Sequence, residues 1–234
     1  MKLVFENIET EDAPIPLAKY SQATIAGNVL SLAGQISIDP KTNNLVGEEV
    51  GMQIAQTIRN IDAIKSKGHK RLEELGVSNK YARVNYENKV FYVNPEDLKT
   101  IKTICSNRFP VYSLEYVKAE KLPKGALVEI RLKETFMHRF LGNKNFHRMK
   151  TQPCYGSGSD AIEEVKKELK ELGFGLERVF YAEVSTNNLQ SKYPVFNETW
   201  EQMLSHRPSR AMFQKEMPHD FEITFESYLG KLEG

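Results

Sequence analysis

The sequence predicts an α+β protein made of two tandem units, residues 1–136 and 137–234, the second with an abbreviated opening. Three observations predict it. Helical hydrophobic periods alternate with short β-branched and aromatic runs. The order hairpin, helix, strand, helix, strand, strand is read along the first unit and again, less completely, along the second. The text repeats as well: "EELGVSNKYARV" answers to "KELGFGLERVF", "FPVYS" to "RPSRA", and "KLPKGALVEIRL" to "EMPHDFEITF". An internal duplication of this kind decides how the whole fold is read.

The elements follow in order. "ATIAGNVLSLAGQI" holds two apolar runs around Gly27-Asn28, a hairpin turn dipeptide. "SIDPKTNNLVG" is loop, rich in Pro, Asn and Asp. From Glu48, Ile54, Ile58, Ile61 and Ile64 recur at helical spacing, and the helix runs to Gly76 with a kink expected near Gly68. "YARVNYENKVFYV" is a strand, "PEDLKTIKTICSN" a helix with Pro95 in its first turn, and "VYSLEYVKAE" and "ALVEIRLKETF" are strands. In the last, Val128, Ile130 and Leu132 share one face while Glu129, Arg131 and Lys133 share the other.

In the second unit only "FMHRFLGNKNFHRMKTQP" is available for a hairpin. "SDAIEEVKKELKELG" is an amphipathic helix with Ser159 or Asp160 as N-cap. "ERVFYAEVST" is a strand and "YPVFNETWEQML" a helix with Pro194 near its start. "SRAMFQK" and "FEITFESYL" are strands, the latter separating Phe221, Ile223 and Phe225 from Glu222, Thr224 and Glu226.

Bulk properties narrow the function classes. Hydrophobic residues make up 40% and charged residues 27% of the 234, which suffices for a core without disulfides. Lys and Arg total 32 against 31 acidic residues, which argues against a dedicated nucleic-acid binder. The opening "MKLVFENIETEDAP" lacks the apolar stretch of a signal peptide, and no run approaches the ~20 apolar residues of a membrane span. Cys105 and Cys154 fit a reducing compartment, so the expected location is the cytosol, or a mitochondrial matrix after import. The five histidines show no metal-ligand spacing and neither cysteine lies in a C-x-x-C pair, so no metal or other cofactor is expected. "YGSGSD" lacks the lysine and spacing of a P-loop and reads as a linker ending in a helix cap. Cys105 and Trp200 are expected to pack in cores.

At "YSQATIAGNVLSLAGQISIDPKT" and "LPKGALVEIRL" the chain resembles the Rid family, the reactive-intermediate deaminases, also known as L-PSP endoribonucleases. The match covers most of residues 8 to 136; the second unit matches more weakly through "VFNETWEQML", "PSRA" and "FEITFE". The resemblance implies chorismate-mutase-like domains, each a mixed sheet backed by two helices, assembled as trimers with clefts between neighbours. It implies an arginine in Pro-x-Arg-Ser that grips the carboxylate of a 2-imino acid or enamine. A tyrosine, an asparagine and a glutamate would line the same cleft, where water releases ammonia.

Neither unit carries the motif whole. In the first, Tyr20 matches the tyrosine and Glu129 the glutamate, but Tyr112 stands at the arginine position and Ala33 at the serine of Ser-Gly-Gln. In the second, Arg210 matches the arginine, Asn197 the asparagine and Glu222 the glutamate, with no Tyr-x-Gln segment. The candidates are therefore Arg210, Glu129 and Glu222 for catalysis and Tyr20, Asn197 and Arg210 for binding. Each has a plainer alternative: a solvated or ion-paired strand face for the glutamates, packing for Tyr20, a helix cap for Asn197, a surface charge for Arg210. The chemistry favours Arg because its fixed fork of donors receives a planar carboxylate through two parallel bonds.

One composite site is expected, within a chain or between chains, with Tyr20 and Glu129 from the first unit and Arg210 and Asn197 from the second. The expected partner is a small carboxylate-bearing metabolite, and the chain is expected to form a homo-oligomer through its sheet faces. Two other readings are weighed. One is a non-catalytic binding or assembly module, similar to the tandem Rid-like pair at the C-terminus of eukaryotic diphthine–ammonia ligases. The other is an endoribonuclease, which the balanced charge does not favour.

Overall fold

A computed structural model describes residues 4–77, 83–137 and 145–230. Two sheets organise them. The first has six strands in the order β1-β2-β3-β6-β4-β5: β1 (Phe5–Ile8), β2 (Ala23–Ala26), β3 (Val29–Leu32), β4 (Arg83–Tyr92), β5 (Leu114–Lys118) and β6 (Val128–Met137). The second has four, β7-β10-β8-β9: β7 (Phe146–Lys150), β8 (Val179–Thr186), β9 (Ser209–Gln214) and β10 (Phe221–Tyr228). The helices are α1 (Val50–Glu74), α2 (Leu98–Arg108), α3 (Ser159–Glu171) and α4 (Leu189–Met203). Among the described residues, no helix is long and apolar enough to cross a membrane.

Local signals produce most of these elements. Gly27, at φ 58°, turns the hairpin, and Asn28 ties it to β6 by donating Nδ2–H to the carbonyl of Phe136 at 2.8 Å. Helix α1 passes through Gly68 as one continuous helix, without the expected break. The missing side chain there lets α1 approach β3, where a Cβ would come within 2.8 Å of Leu30. In each sheet one pair is parallel, β4 with β5 and β8 with β9, and each is spanned by a helix, α2 or α4. The partners β6 and β10 run antiparallel to β4 and β8.

Two helix starts differ from the sequence reading, and a third expectation lies partly outside the described residues. α3 is preceded by Gly158 at φ 81°, not capped by Ser159 or Asp160; the glycine admits a left-handed backbone where Phe196 crowds the space a Cβ would need. α4 begins at Leu189, because the Asn188 side chain accepts from the N–H of Ser191, and Pro194 therefore lies inside the helix. Of the stretch expected to give the second hairpin, β7 is described; residues 138–144, His138 included, lie outside the described residues.

Three apolar cores set the layers. Ile54 and Ile61 of α1 and Ile101 and Cys105 of α2 pack with Val128, Ile130 and Leu132 on one face of the first sheet. Ile162, Val165, Phe196 and Trp200 of α3 and α4 pack with Phe221, Ile223 and Phe225 on the second. The third core lies between the sheets and joins Ala26, Val29 and Phe91 to Phe180, Tyr181 and Phe213. Phe91 and Phe213 meet with centroids 4.6 Å apart.

This third core removes the solvated alternative for the charged face of β6. Glu129 and Arg131 are both 2% exposed, because their face of β6 is covered by the second sheet. Arg131 lies 3.9 Å over the Tyr181 ring and pairs with Glu226 at 3.2 Å, and Lys89 pairs with Glu183 at 2.9 Å. Arg131 and Lys89 are thus paired with carboxylates across the interface, which is how charge becomes tolerable inside a protein, whereas Glu129 has no such ion pair among the described residues.

Candidate functional site

At one margin of the interface the two sheets form a cleft. The first sheet's side is Gly34, Gln35 and Glu129, and the segment before β2 contributes Leu17 and Tyr20. From the other side come Arg210 of β9 and Tyr193 of α4. The cleft has about 40 Å³ of free volume. That is room for a group of a few atoms, since one water needs at least ~10–15 Å³.

Backbone contacts hold the sides in register. The N–H of Gly34 donates to the carbonyl of Arg210 at 3.1 Å, and the N–H of Ser209 donates to Oγ1 of Thr24 at 3.2 Å. Trp200 Nε1 donates to the carbonyl of Lys19 at 2.9 Å, and Leu17 N–H donates to the Tyr20 hydroxyl at 3.2 Å. Gln22 fastens the preceding wall, accepting from the N–H of Thr10 and donating to the carbonyls of Ala13 and Pro14.

Arg210 is 3% exposed, so it is no rim charge. Its guanidinium carbon lies 5.1 Å from the rings of Tyr20 and Trp200, 5.4 Å from Phe196 and 5.8 Å from Tyr193. Tyr193, Phe196, Asn197 and Trp200 stand at i, i+3, i+4 and i+7, so one face of α4 supplies three rings and the amide. Nη2 donates to Oδ1 of Asn197 at 2.5 Å, whereas Nη1 has no hydrogen-bond partner among the described residues. Burial pulls the guanidinium pKa below its ordinary value. Ring faces offset this only in part, at about 0.5–2 kcal/mol each.

Glu129 is the acidic counterpart. Burial first, and then the charge of Glu183, raise its carboxyl to about 8, with Arg210 pulling the other way. Its Oε2 has no hydrogen-bond partner among the described residues. A side chain at Gly34 would collide with this carboxylate, so the bare backbone of "AGQI" is what admits Glu129 to the cleft. Burial also raises the Tyr20 hydroxyl, which therefore stays protonated at neutral pH.

The geometry thus brings together Tyr20, Glu129, Arg210 and Asn197, the first three lining the cleft and Asn197 holding Arg210. Glu222 does not join them. It is held by Lys215 at 2.5 Å, Lys150 at 3.3 Å and His219 at 3.2 Å, and Lys215 foremost lowers its carboxyl to about 2. Tyr112, which the sequence reading aligns with the arginine position, is 77% exposed and lies outside the cleft. Tyr193 was not among the sequence candidates, though its place one turn before Asn197 on the same helix face is a readable signal. Gly34 and Gln22 stand inside quoted motifs, but their roles depend on contacts distant in sequence.

The comparisons with known proteins bear on the first side of this cleft. The family model for endoribonuclease L-PSP matches residues 10–133. The chain belongs to that family. Within the endoribonuclease L-PSP family, a RutC family protein of Pyrococcus horikoshii is 38% identical over 128 residues, 53% of this chain and 93% of that protein. A 2-iminobutanoate/2-iminopropanoate deaminase of Dermatophagoides farinae is 30% identical over 125 residues, 53% of this chain and 90% of that protein. Among solved structures, RidA from a Psychrobacter species is 27% identical with a TM-score of 0.46, covering 56% of this chain and 99% of that one. The matched segment contains Tyr20, Gly34 and Glu129; Arg210 and Asn197 lie outside it.

Proposed function

We propose that the chain binds a small 2-imino acid in this cleft and hydrolyses it to the 2-oxo acid and ammonia. One observation carries the reading: a buried guanidinium with an unpartnered N–H group shares the cleft with a buried carboxyl that keeps its proton near neutrality. A carboxylate of the ligand would satisfy Arg210 through its fork of donors and neutralise it in a low-dielectric site. The dust-mite deaminase among the relatives supports the same chemistry.

In this mechanism the oxygen of water bonds to the imine carbon and the C=N π pair moves to nitrogen. The carboxylate form of Glu129 takes a proton from the water. The resulting acid gives it to the nitrogen, leaving a carbinolamine. The carboxylate then takes the carbinolamine's hydroxyl proton and passes it to the amine, so that the C=O bond forms as the C–N bond breaks and ammonia leaves. The sum is imino acid plus water giving oxo acid plus ammonia, with no redox change. A pKa of about 8 suits both halves of this shuttle near neutrality, and such acid–base help is worth roughly 10²–10⁴-fold. Asn197 and the aromatic rings position Arg210.

The endoribonuclease reading is less favoured, because Lys and Arg total 32 against 31 acidic residues, without the basic excess that nucleic-acid binding favours. Residues 1–136 and 137–234 are read as two copies of one chorismate-mutase-like domain. The shared pairing order β6-β4-β5 and β10-β8-β9 supports this. In that reading the second copy occupies, for the first, the place of a neighbouring subunit. Assembly of several chains through remaining sheet faces belongs to the same proposal.

The test is ammonia release from freshly generated 2-iminobutanoate by the wild type and by R210Q. Wild type should accelerate the reaction over buffer, and R210Q should lose at least tenfold. An unaccelerated wild-type reaction would sink the deaminase reading and leave a carboxylate-binding module.

A further inference from the structure

We infer that the cleft continues into an apolar groove that receives the ligand's side chain, making the site selective for acids with long apolar side chains. The inference rests on the preceding reading for the head group and adds the substrate class. The groove, of about 570 Å³, opens between the 120–127 segment after β5 and the first turns of α4. It shares Leu17, Pro123 and Tyr193 with the Arg210 cleft, so the two spaces adjoin across common walls.

Sizes separate their roles. The cleft alone admits a head group, whereas the groove falls in the ~300–1,000 Å³ range of ligand pockets. Chemistry separates them too. Leu122, Ala126 and Leu189 are buried and Leu127 is half-buried in the groove, while the charged groups Glu120, Lys121 and Lys124 are exposed around it. An apolar chain gains there by leaving water, and a second charged group would not.

The walls are also clamped. Gln214 at the end of β9 donates its N–H to the carbonyl of Lys121 at 2.9 Å and its Nε2–H to Glu120 at 2.9 Å. Its Oε1 accepts from the N–H of Leu189 at 3.0 Å. One side chain thereby joins both walls of the groove to the strand that carries Arg210. The width is set before a ligand arrives, which lowers the ordering cost of binding.

The experiment is calorimetric titration with straight-chain 2-oxo acids of three to eight carbons, the stable product class. Wild type, R210Q and Q190W are compared, the last placing an indole in the groove from the exposed first turn of α4. In the wild type each added methylene should tighten binding about three- to fourfold, from burial of ~0.8 kcal/mol per CH₂. Q190W should abolish that gain, and R210Q should weaken every acid.

A wild type that binds the three-carbon acid with no gain on lengthening overturns the groove and leaves the head-group reading standing. Gain retained in Q190W places the chain elsewhere and also overturns the groove. Long acids bound equally by wild type and R210Q refute one continuous site and the Arg210 reading together. Failure of every acid to bind the wild type removes both.

Discussion

Replacing Glu129 by glutamine tests the site without a ligand. Glutamine matches the protonated carboxyl in shape and removes its titration. The folded protein holds the Glu129 proton up to about pH 8, whereas the unfolded chain releases it near 4.5. Across that window the native state binds more protons than the unfolded one, so wild-type stability falls as pH rises. Below about 4.5 the contribution is fully present, and above about 8 it is lost. A shift of this size corresponds to on the order of 4–5 kcal/mol. Urea unfolding of both proteins from pH 4.5 to 9 reads it directly. The stability of E129Q relative to wild type should rise across the window and level off above about 8. Parallel curves would mean that Glu129 is already ionised in the folded protein, and the proton-shuttle role would fall with that result.

Other expectations follow from the same contacts. Binding of a 2-oxo acid near pH 8 should take up protons, because a second negative charge near Glu129 raises its pKa further. Titrations in buffers of different ionisation enthalpy measure that uptake. G34A should displace the Glu129 carboxyl and cost about 1–3 kcal/mol as an overpacked site, with a larger loss of turnover than of melting temperature. W200F removes the donor to the Lys19 carbonyl and should lose about 1 kcal/mol of stability, with weaker carboxylate affinity as the Tyr20 segment loosens. Cys105, buried in the first core with its thiol pushed up to about 12, should resist alkylation until the protein unfolds, as mass spectrometry of iodoacetamide-treated samples would show.

Much of this molecule is legible in one dimension because the relevant physics is local. Gly27-Asn28 encodes a turn that neighbouring residues complete, and the spacing of Ile54, Ile58, Ile61 and Ile64 writes out one face of α1. Val128, Ile130 and Leu132 alternate with Glu129, Arg131 and Lys133 as a strand demands. Motif positions likewise nominated Tyr20, Glu129, Arg210 and Asn197, because the resemblance travels with residue type and order. The helix ends were less legible: Asn188 competes with Pro194 to start α4, and a side-chain cap prevails only once its geometry is known.

What tertiary structure alone decided is which charged face meets water. Glu129 and Glu222 occupy the same phase of similar strands, and the sequence treats them alike. One is covered by the second sheet, loses solvation and keeps its proton; the other stays at the margin, surrounded by lysines, and gives its proton up. Desolvation depends on what packs against a side chain from distant parts of the chain, and residue spacing carries no record of it. The same holds for Arg210, whose rings come from α4 and from the segment before β2, some 190 residues away in sequence.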